Sequence, residues 1–304
     1  MMCQMYQAKR QSRSEFVPIR QLQYHVRIWG EPAADKIPLV MVHGWMDVAA
    51  SYQFMVDAFS QDHHVIAPDW RGYGLTDSGG ADNFWQADYL ADLDFLLDHY
   101  APGRAVNLVG HSMGGGVVML YAGIRPERVR RLVNLEGFGM PATTPDQAAG
   151  RYARWMDELK QLHRGEKALR PYPDSAGVAR RLTKTNPRLS PDKAAWLAQH
   201  WARQNSHGEW QILGEAAHKL ANANLYRLDE VMAIYALISM PTLAVEADHN
   251  QLNEWWKGRL TLAEHHRRLS VLPQVKIARI QDAGHMMHHD QPEQLAALIE
   301  GFIA

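Results

Sequence analysis

The stretch that most restricts how this 304-residue chain can fold is NLVGHSMGGGVVML, residues 107–120. It starts as a short apolar run, turns at the motif Gly-His-Ser-Met-Gly (110–114), and continues with a pattern typical of a helix. A strand that turns directly into a helix passes so close to its neighbours that only residues without a Cβ atom fit beside the turn. The pattern therefore predicts that Ser112 lies at the N-terminus of a helix, where N–H groups and the helix dipole favour negative charge.

The rest of the sequence supplies the elements around this turn. Short apolar runs typical of buried strands alternate with stretches of helical periodicity. The predicted strands are 38–43, 64–69, 105–109, 131–136, 241–248 and 275–280, and the predicted helices are 51–59, 84–100, 113–124, 145–163, 190–204 and 291–303. Such alternation favours an α/β fold in which a mostly parallel sheet carries helices on both faces.

The strand pattern disappears between residues 137 and 230. Helical patterns predominate there, and several tryptophans fall in the same stretch. We therefore predict that residues 1–136 and 231–304 form an α/β core, and that residues 137–230 form an inserted helical cap, or lid.

The composition excludes several functional classes. A formal net charge of −1 gives no general attraction for a polyanion, so we expect no nucleic-acid partner. The single cysteine, Cys3, cannot form a disulfide framework or a cysteine-based metal site. No apolar run approaches the ~18 residues of a membrane span, and residues 1–15 hold no apolar leader segment. We expect a cytoplasmic protein without a membrane span, and nothing in the sequence predicts its oligomeric state.

A serine hydroxyl needs a general base to become a nucleophile. His285 stands out among the 16 histidines because it follows a predicted strand and the small turn Asp-Ala-Gly (282–284). The loop beyond the carboxyl end of a strand lies at the edge where open α/β sheets bind ligands. His288 and His289 complete an H-x-x-H-H pattern, but the sequence has no obvious second ligand cluster. We therefore expect His285 to be the base and expect no metal.

An acyl-transfer site also needs hydrogen-bond donors for the oxyanion. One donor is predicted to be the backbone N–H of Met113, the residue after the nucleophile, and the other comes from the loop after an earlier strand. That loop is His-Gly-Trp-Met (43–46), so Trp45 is the second predicted donor. His43 is interpreted as a brace for this loop, with a second base as the alternative.

Together these segments resemble the α/β-hydrolase superfamily. The matching pieces are His43-Gly44, Asp-Trp-Arg-Gly-Tyr-Gly (69–74), Gly110–Gly114 and Gly284-His285, and their order agrees along nearly the whole chain outside the cap. The resemblance implies an eight-stranded, mostly parallel sheet and a serine–acid–histidine triad in that chain order.

The acid of this triad departs from the usual pattern. In most such hydrolases it follows the next-to-last strand, and here that slot holds Asn250, which has no negative charge. Asp248 lies two positions earlier and is one alternative. Glu136 ends the strand after the Ser112 helix, where a subset of the related haloalkane dehalogenases places its acid. We favour Glu136 and keep Asp248 as the alternative.

The serine itself restricts the reaction. Relatives that open epoxides or remove halides use aspartate at this position, so Ser112 predicts an acyl-enzyme route on carboxylic esters, thioesters or lactones without a cofactor. Alternatives are a C–C bond hydrolase, a cofactor-free lyase or an acyltransferase on the same triad, and a non-catalytic ligand receptor.

The substrate is predicted to be a small, moderately apolar ester that binds under the cap. Packing of the cap tryptophans onto the core is the competing interpretation. The candidate pocket residues are Met46, His111, Phe138, Met140 and Trp155.

Overall fold

The structure is a computed structural model that describes residues 5–304, so Cys3 lies outside the described residues. Its strands are β1 (Ser12–Ile19), β2 (Leu22–Trp29), β3 (Leu39–Val42), β4 (Val65–Pro68), β5 (Val106–His111), β6 (Val129–Leu135), β7 (Ala202–Gln204), β8 (Trp210–Ile212), β9 (Thr242–Ala247) and β10 (Val275–Ile280). Each of the six predicted strands is present, with bounds within two residues of the prediction.

Over the described residues, eight of these strands form one sheet in the order β1-β2-β4-β3-β5-β6-β9-β10. The pairs β1–β2 and β2–β4 are antiparallel, and the remaining pairs are parallel. The mostly parallel eight-stranded sheet of the predicted fold is confirmed. Because β3, β5, β6, β9 and β10 run in one direction, their carboxyl ends meet at one edge of the sheet.

Helices cover both faces of the sheet. They are α1 (Gln53–Ala58), α2 (Gln86–Tyr100), α3 (Met113–Ile124), α4 (Ala148–His163), α5 (Ser175–Thr185), α6 (Pro191–Trp201), α7 (Leu228–Tyr235), α8 (Leu252–Trp256), α9 (Leu262–Leu269), α10 (Met287–Asp290) and α11 (Pro292–Ile303). Two large apolar clusters fill the space between the sheet and these helices. No helix among residues 5–304 is long and apolar enough to cross a bilayer.

The segment between β6 and α7 contains α4, α5 and α6 together with the small antiparallel pair β7–β8. The predicted helix 190–204 is wrong at its end, because residues 202–204 leave the helix and pair with β8. The turn between the two strands is closed by a bond from the Asn205 N–H to the Glu209 carbonyl, and Gly208 supplies the positive φ of 81° that it requires.

Helix α7 spans the predicted end of the cap at residue 230. It packs on α3 so closely that a Cβ atom on Gly123 would lie 2.2 Å from the Ile234 carbonyl oxygen. The division into a core and a cap at residues 137–230 stays a prediction.

Candidate active site

The turn between β5 and α3 holds Ser112 in a strained backbone conformation, with φ 52° and ψ −114°. Its N–H donates to the Leu135 carbonyl at 2.8 Å, which fixes the turn against β6. Close packing explains the flanking glycines. A Cβ atom on Gly110 would lie 2.4 Å from the Gly114 carbonyl oxygen, and one on Gly114 would lie 2.4 Å from the Val42 carbonyl oxygen. Ser112 thus precedes the first turn of α3, as its flanking sequence predicts.

The carboxylate that meets His285 is Glu136. His285 Nδ1 and Glu136 Oε2 are 2.7 Å apart. Glu136 directly follows β6, has a positive φ of 49°, and is only 3% exposed. Its second oxygen accepts the Ala247 N–H at 2.8 Å, so the carboxylate is held from the adjacent strand β9 as well.

Asp248 has a different set of partners. Its two oxygens accept the N–H groups of Asp282 at 2.8 Å and Ala283 at 3.0 Å. These residues form the turn that carries His285, so Asp248 fixes this turn. Asn250 lies in the loop between β9 and α8, and its side chain donates to the Ala247 carbonyl at 3.3 Å.

His285 lies beside the serine turn. The ring of His111, the residue before Ser112, donates from Nε2 to the His285 carbonyl at 2.8 Å, and the two rings are 4.6 Å apart. Within the described chain no hydrogen bond joins the His285 ring to the Ser112 hydroxyl. Such bonds are often long in a site without substrate. The geometry brings nucleophile, base and acid candidates to the same sheet edge.

Burial controls the protonation of this pair. It lowers the pKa of His285, because the charged imidazolium would lose its hydration. It also raises the pKa of Glu136, while the Ala247 N–H acts in the opposite direction. The His285 imidazole is therefore neutral at neutral pH, which is the form that can accept a proton.

The loop after β3 approaches the serine from the other side. A Cβ atom on Gly44 would lie only 3.1 Å from Ser112 Cβ. His43 Nε2 accepts the Trp70 N–H at 2.9 Å, so its Nδ1 carries the proton and donates to the Gly44 carbonyl at 2.8 Å. His43 thus braces the loop. Neither the Trp45 nor the Met113 backbone N–H donates to another described residue, so both remain available to a ligand.

The sequence profile of the alpha/beta hydrolase fold matches residues 37–292, which is most of the chain. The chain belongs to the α/β-hydrolase family. The matched range starts just before β3 and ends at the start of α11, so it includes every site residue described above.

The similarity to known enzymes supports a hydrolase activity for this chain. This α/β hydrolase is 26% identical over 280 residues to a cis-3-alkyl-4-alkyloxetan-2-one decarboxylase of Shewanella oneidensis, covering 88% of this chain and 81% of that protein. It is 25% identical over 202 residues to a serine hydrolase-like protein of Danio rerio, covering 66% of this chain and 61% of that protein. A solved thioesterase domain from the curacin biosynthetic pathway superposes with a TM-score of 0.82 at 23% identity, over 96% and 99% of the two chains.

The predicted pocket residues of this α/β hydrolase fall into two groups. His111 is buried directly before Ser112, and Met46 is buried with its side chain beside Gly214. Phe138 packs in a separate small cluster with Leu252 and Leu260, Met140 is partly exposed, and Trp155 donates from Nε1 to Asn83 at 3.2 Å. The assignment of these five residues to a substrate pocket stays a prediction.

Two of the cap tryptophans contact the core. Trp196 packs on Phe54 with ring centroids 5.6 Å apart, and Trp201 donates to Asp47 at 3.3 Å. These contacts join the segment between β6 and α7 to the N-terminal part of the chain.

Trp255 was not among the site residues predicted from the sequence. Its ring meets the His285 ring edge-on with centroids 4.5 Å apart, although the side chain is 43% exposed. An exposed tryptophan that covers a histidine at the site is placed to contact a ligand. Its one signal in the sequence is its position after the loop that ends at Asn250.

Proposed function

We propose that this protein is a serine hydrolase that cleaves carboxylic esters, or the related thioesters and lactones, through an acyl-enzyme intermediate. The observation that carries the proposal is the position of Ser112, strained at the start of α3, next to a neutral His285 whose Nδ1 lies 2.7 Å from a buried carboxylate. A hydroxyl, a base and an oriented acid are the three groups that acyl transfer requires.

In the proposed reaction Ser112 Oγ attacks the carbonyl carbon while its proton passes to His285 Nε2. The Trp45 and Met113 N–H groups bind the oxyanion of the tetrahedral intermediate. His285 then returns the proton to the leaving oxygen or sulfur, and the bond to the leaving group breaks. A water molecule, deprotonated by His285, attacks the acyl-enzyme, and the acid leaves as Ser112 recovers its proton.

Glu136 has the role of the triad acid in this proposal. Its hydrogen bond fixes the proton of His285 on Nδ1, so that Nε2 is free to act as the base. Its charge stabilises the imidazolium that forms in each half-reaction. The role of Asp248 in the proposal is to position the turn before His285.

The acyl group is proposed to lie against apolar side chains. The exposed Trp255 ring lies 4.5 Å from the His285 ring, and Trp45, in the loop of a proposed oxyanion donor, is exposed as well. Apolar walls with a few placed polar groups are typical of small-molecule sites. This supports a moderately apolar acyl or alcohol portion.

The test is hydrolysis of a series of p-nitrophenyl esters, combined with labelling by a fluorophosphonate. We expect release of p-nitrophenol with an acyl-enzyme burst, and one adduct on the tryptic peptide that contains Ser112. Absence of an adduct on Ser112, with no turnover of any ester, would reject the proposal and favour a ligand receptor.

A second candidate follows from the Shewanella relative. An oxetan-2-one is a four-membered cyclic ester, so a lyase and an acyl-enzyme hydrolase can share this substrate class while they form different products. Incubation with a cis-3,4-dialkyl oxetan-2-one separates them. A 3-hydroxy acid indicates hydrolysis by Ser112, whereas an alkene with carbon dioxide indicates decarboxylation.

A further inference from the structure

A group of buried polar side chains lies behind Ser112 and takes no part in the proposed chemistry. Asp47 comes from the loop after β3, His111 from the end of β5, and His288 from α10. They are 5%, 2% and 0% exposed. One oxygen or nitrogen atom from each lies within 4.8 Å of the other two.

The hydrogen bonds of His111 determine which of its ring nitrogens has a free lone pair. His111 Nε2 lies 2.8 Å from the His285 carbonyl oxygen, which can only accept, so Nε2 carries the proton. Nδ1 is then an unprotonated nitrogen, and among the described residues no group donates to it. His111 thus presents an unpartnered lone pair in the buried interior.

Asp47 and His288 are in the same condition. Asp47 Oδ1 accepts from the Ser51 hydroxyl at 2.7 Å and from Trp201 at 3.3 Å, while Oδ2 has no partner. Neither ring nitrogen of His288 has a partner in the described structure, and its Nε2 is 3.9 Å from Asp47 Oδ2. Buried polar atoms almost always have a partner, so an unpartnered group of this size indicates a missing ligand.

We propose that Asp47, His111 and His288 bind one divalent transition-metal ion, with Zn²⁺ as the ion that their chemistry suits best. Two imidazoles and one carboxylate are a common ligand set for zinc and iron(II). Bonds of about 2.0–2.2 Å place ligand atoms roughly 3–4 Å apart around such an ion. The distance of 3.9 Å between Asp47 Oδ2 and His288 Nε2 lies at the upper end of this range.

The surroundings resemble a structural metal site. His111 donates its second ring nitrogen to a backbone carbonyl, which is the usual way in which a protein orients a metal-bound histidine. Trp201 of α6 covers Asp47, and all three ligands are buried. The ion would join three segments next to the serine turn. In the sequence His288 has no second ligand cluster, but in the fold Asp47 and His111 provide one.

Cobalt(II) alone is a suitable probe, because a four-coordinate Co²⁺ ion has strong visible absorption bands. We expect one Co²⁺ per wild-type chain, and a thermal midpoint that rises with added Zn²⁺ because the ion binds only the folded state. Asp47→Asn and His288→Gln each remove one ligand and should weaken binding by at least about 100-fold. His207→Gln, at an exposed histidine, is the matched control and should leave the absorption unchanged.

Circular dichroism checks that both variants are folded. Mass spectrometry of wild-type protein from zinc-supplemented cultures gives the zinc stoichiometry independently of the variants. No stoichiometric metal in wild-type protein by either measurement would overturn the proposal, and a bridging water would then fill the site. Metal binding that survives both Asp47→Asn and His288→Gln would also overturn it, because the ion would belong to surface histidines.

Discussion

This chain contains two sets of serine, histidine and carboxylate that are built alike and placed differently. In both, a histidine Nδ1 lies 2.7 Å from a buried carboxylate oxygen: His285 faces Glu136, and His25 faces Asp69. His25 Nε2 also lies 2.9 Å from the Ser14 hydroxyl. By hydrogen bonds alone, Ser14–His25–Asp69 is the more complete triad.

The difference lies in what surrounds each serine. Ser14 belongs to the regular strand β1, where it pairs with Arg27 of β2, and it does not start a helix. Ser112 stands at a strained turn before α3, opposite the loop of Trp45, where we propose that the unpaired N–H groups of Trp45 and Met113 bind the oxyanion. A hydrogen-bonded serine, histidine and carboxylate therefore do not define an active site. We propose that the donors for developing negative charge distinguish the Ser112 set from the Ser14 set.

Asp69 and Glu136 differ in the same way. Asp69 accepts N–H groups from Ala49 at 2.7 Å and Leu75 at 2.9 Å in addition to His25, so it fixes the segments that surround it. Glu136 accepts one backbone N–H and the imidazole. The first carboxylate has a structural environment, and the second is free to support a change of charge on its histidine.

The largest expected effect comes from the two serines. Ser112→Ala should lower kcat for ester hydrolysis by roughly 10³–10⁶-fold, as losses of a triad nucleophile do. Ser14→Ala should leave kcat within about threefold, because Ser14 has no oxyanion donors. Steady-state kinetics and fluorophosphonate labelling measure both, and equal losses in the two variants would remove the distinction between the sets.

The acids should separate activity from stability. Glu136→Gln should lower kcat by about 10²–10⁴-fold, because the amide neither fixes the tautomer nor stabilises imidazolium. Asp69→Asn should leave the kinetics of folded protein nearly unchanged. It should reduce the free energy of unfolding by about 2–4 kcal/mol, because the new NH₂ group cannot accept the N–H groups that the carboxylate binds.

Asp248→Asn is the control for Glu136→Gln and should have a small effect on kcat. Urea denaturation and ester kinetics on the three proteins give the comparison. A loss for Asp248→Asn that exceeds the loss for Glu136→Gln would reassign the acid.

The pH profile should report His285 and not His25. Burial lowers the pKa of His285, so activity is present above that pKa and is lost as the pH falls through it. We expect the acidic limb of kcat/KM below the ordinary histidine value of about 6.5. The same limb should appear in Ser14→Ala. A limb above pH 7 in wild-type protein would contradict the burial argument.

The smallest effect is expected from the aromatic side chains that pack on the two histidines. Trp255 lies 4.5 Å from the His285 ring, and Phe16 lies 5.2 Å from the His25 ring. Trp255→Ala should lower kcat/KM by about tenfold and move the acidic limb toward higher pH, because water then reaches the imidazole. Phe16→Ala should change neither kcat/KM nor the acidic limb. An identical response in both variants would contradict the assignment of His285, and not His25, to the active site.

The serine turn was predictable because its glycines are required by contact. Gly110 and Gly114 each lie so close to a backbone carbonyl oxygen that a side chain cannot be accommodated, and the glycine pattern is visible without the fold. The identity of the acid was not fixed, since Glu136 and Asp248 both follow strands that end at one edge of the sheet. In the fold Glu136 contacts His285 while Asp248 binds two backbone N–H groups, and this supports the proposal that Glu136 is the acid.

The second set was invisible in the sequence for another reason. His25 and Phe16 meet across the antiparallel pair β1–β2, and Asp69, the residue after β4, contacts His25. Such neighbours depend on strand register, which a linear pattern leaves open. The buried His25 also interrupts the apolar alternation of β2, which obscures the strand itself.

The two halves of the His285–Glu136 pair are 149 residues apart in the chain. A nascent polypeptide therefore displays the serine turn, its brace and the carboxylate long before the imidazole leaves the ribosome. The chemistry that we propose at Ser112 therefore requires the segment beyond β10 to have emerged and docked.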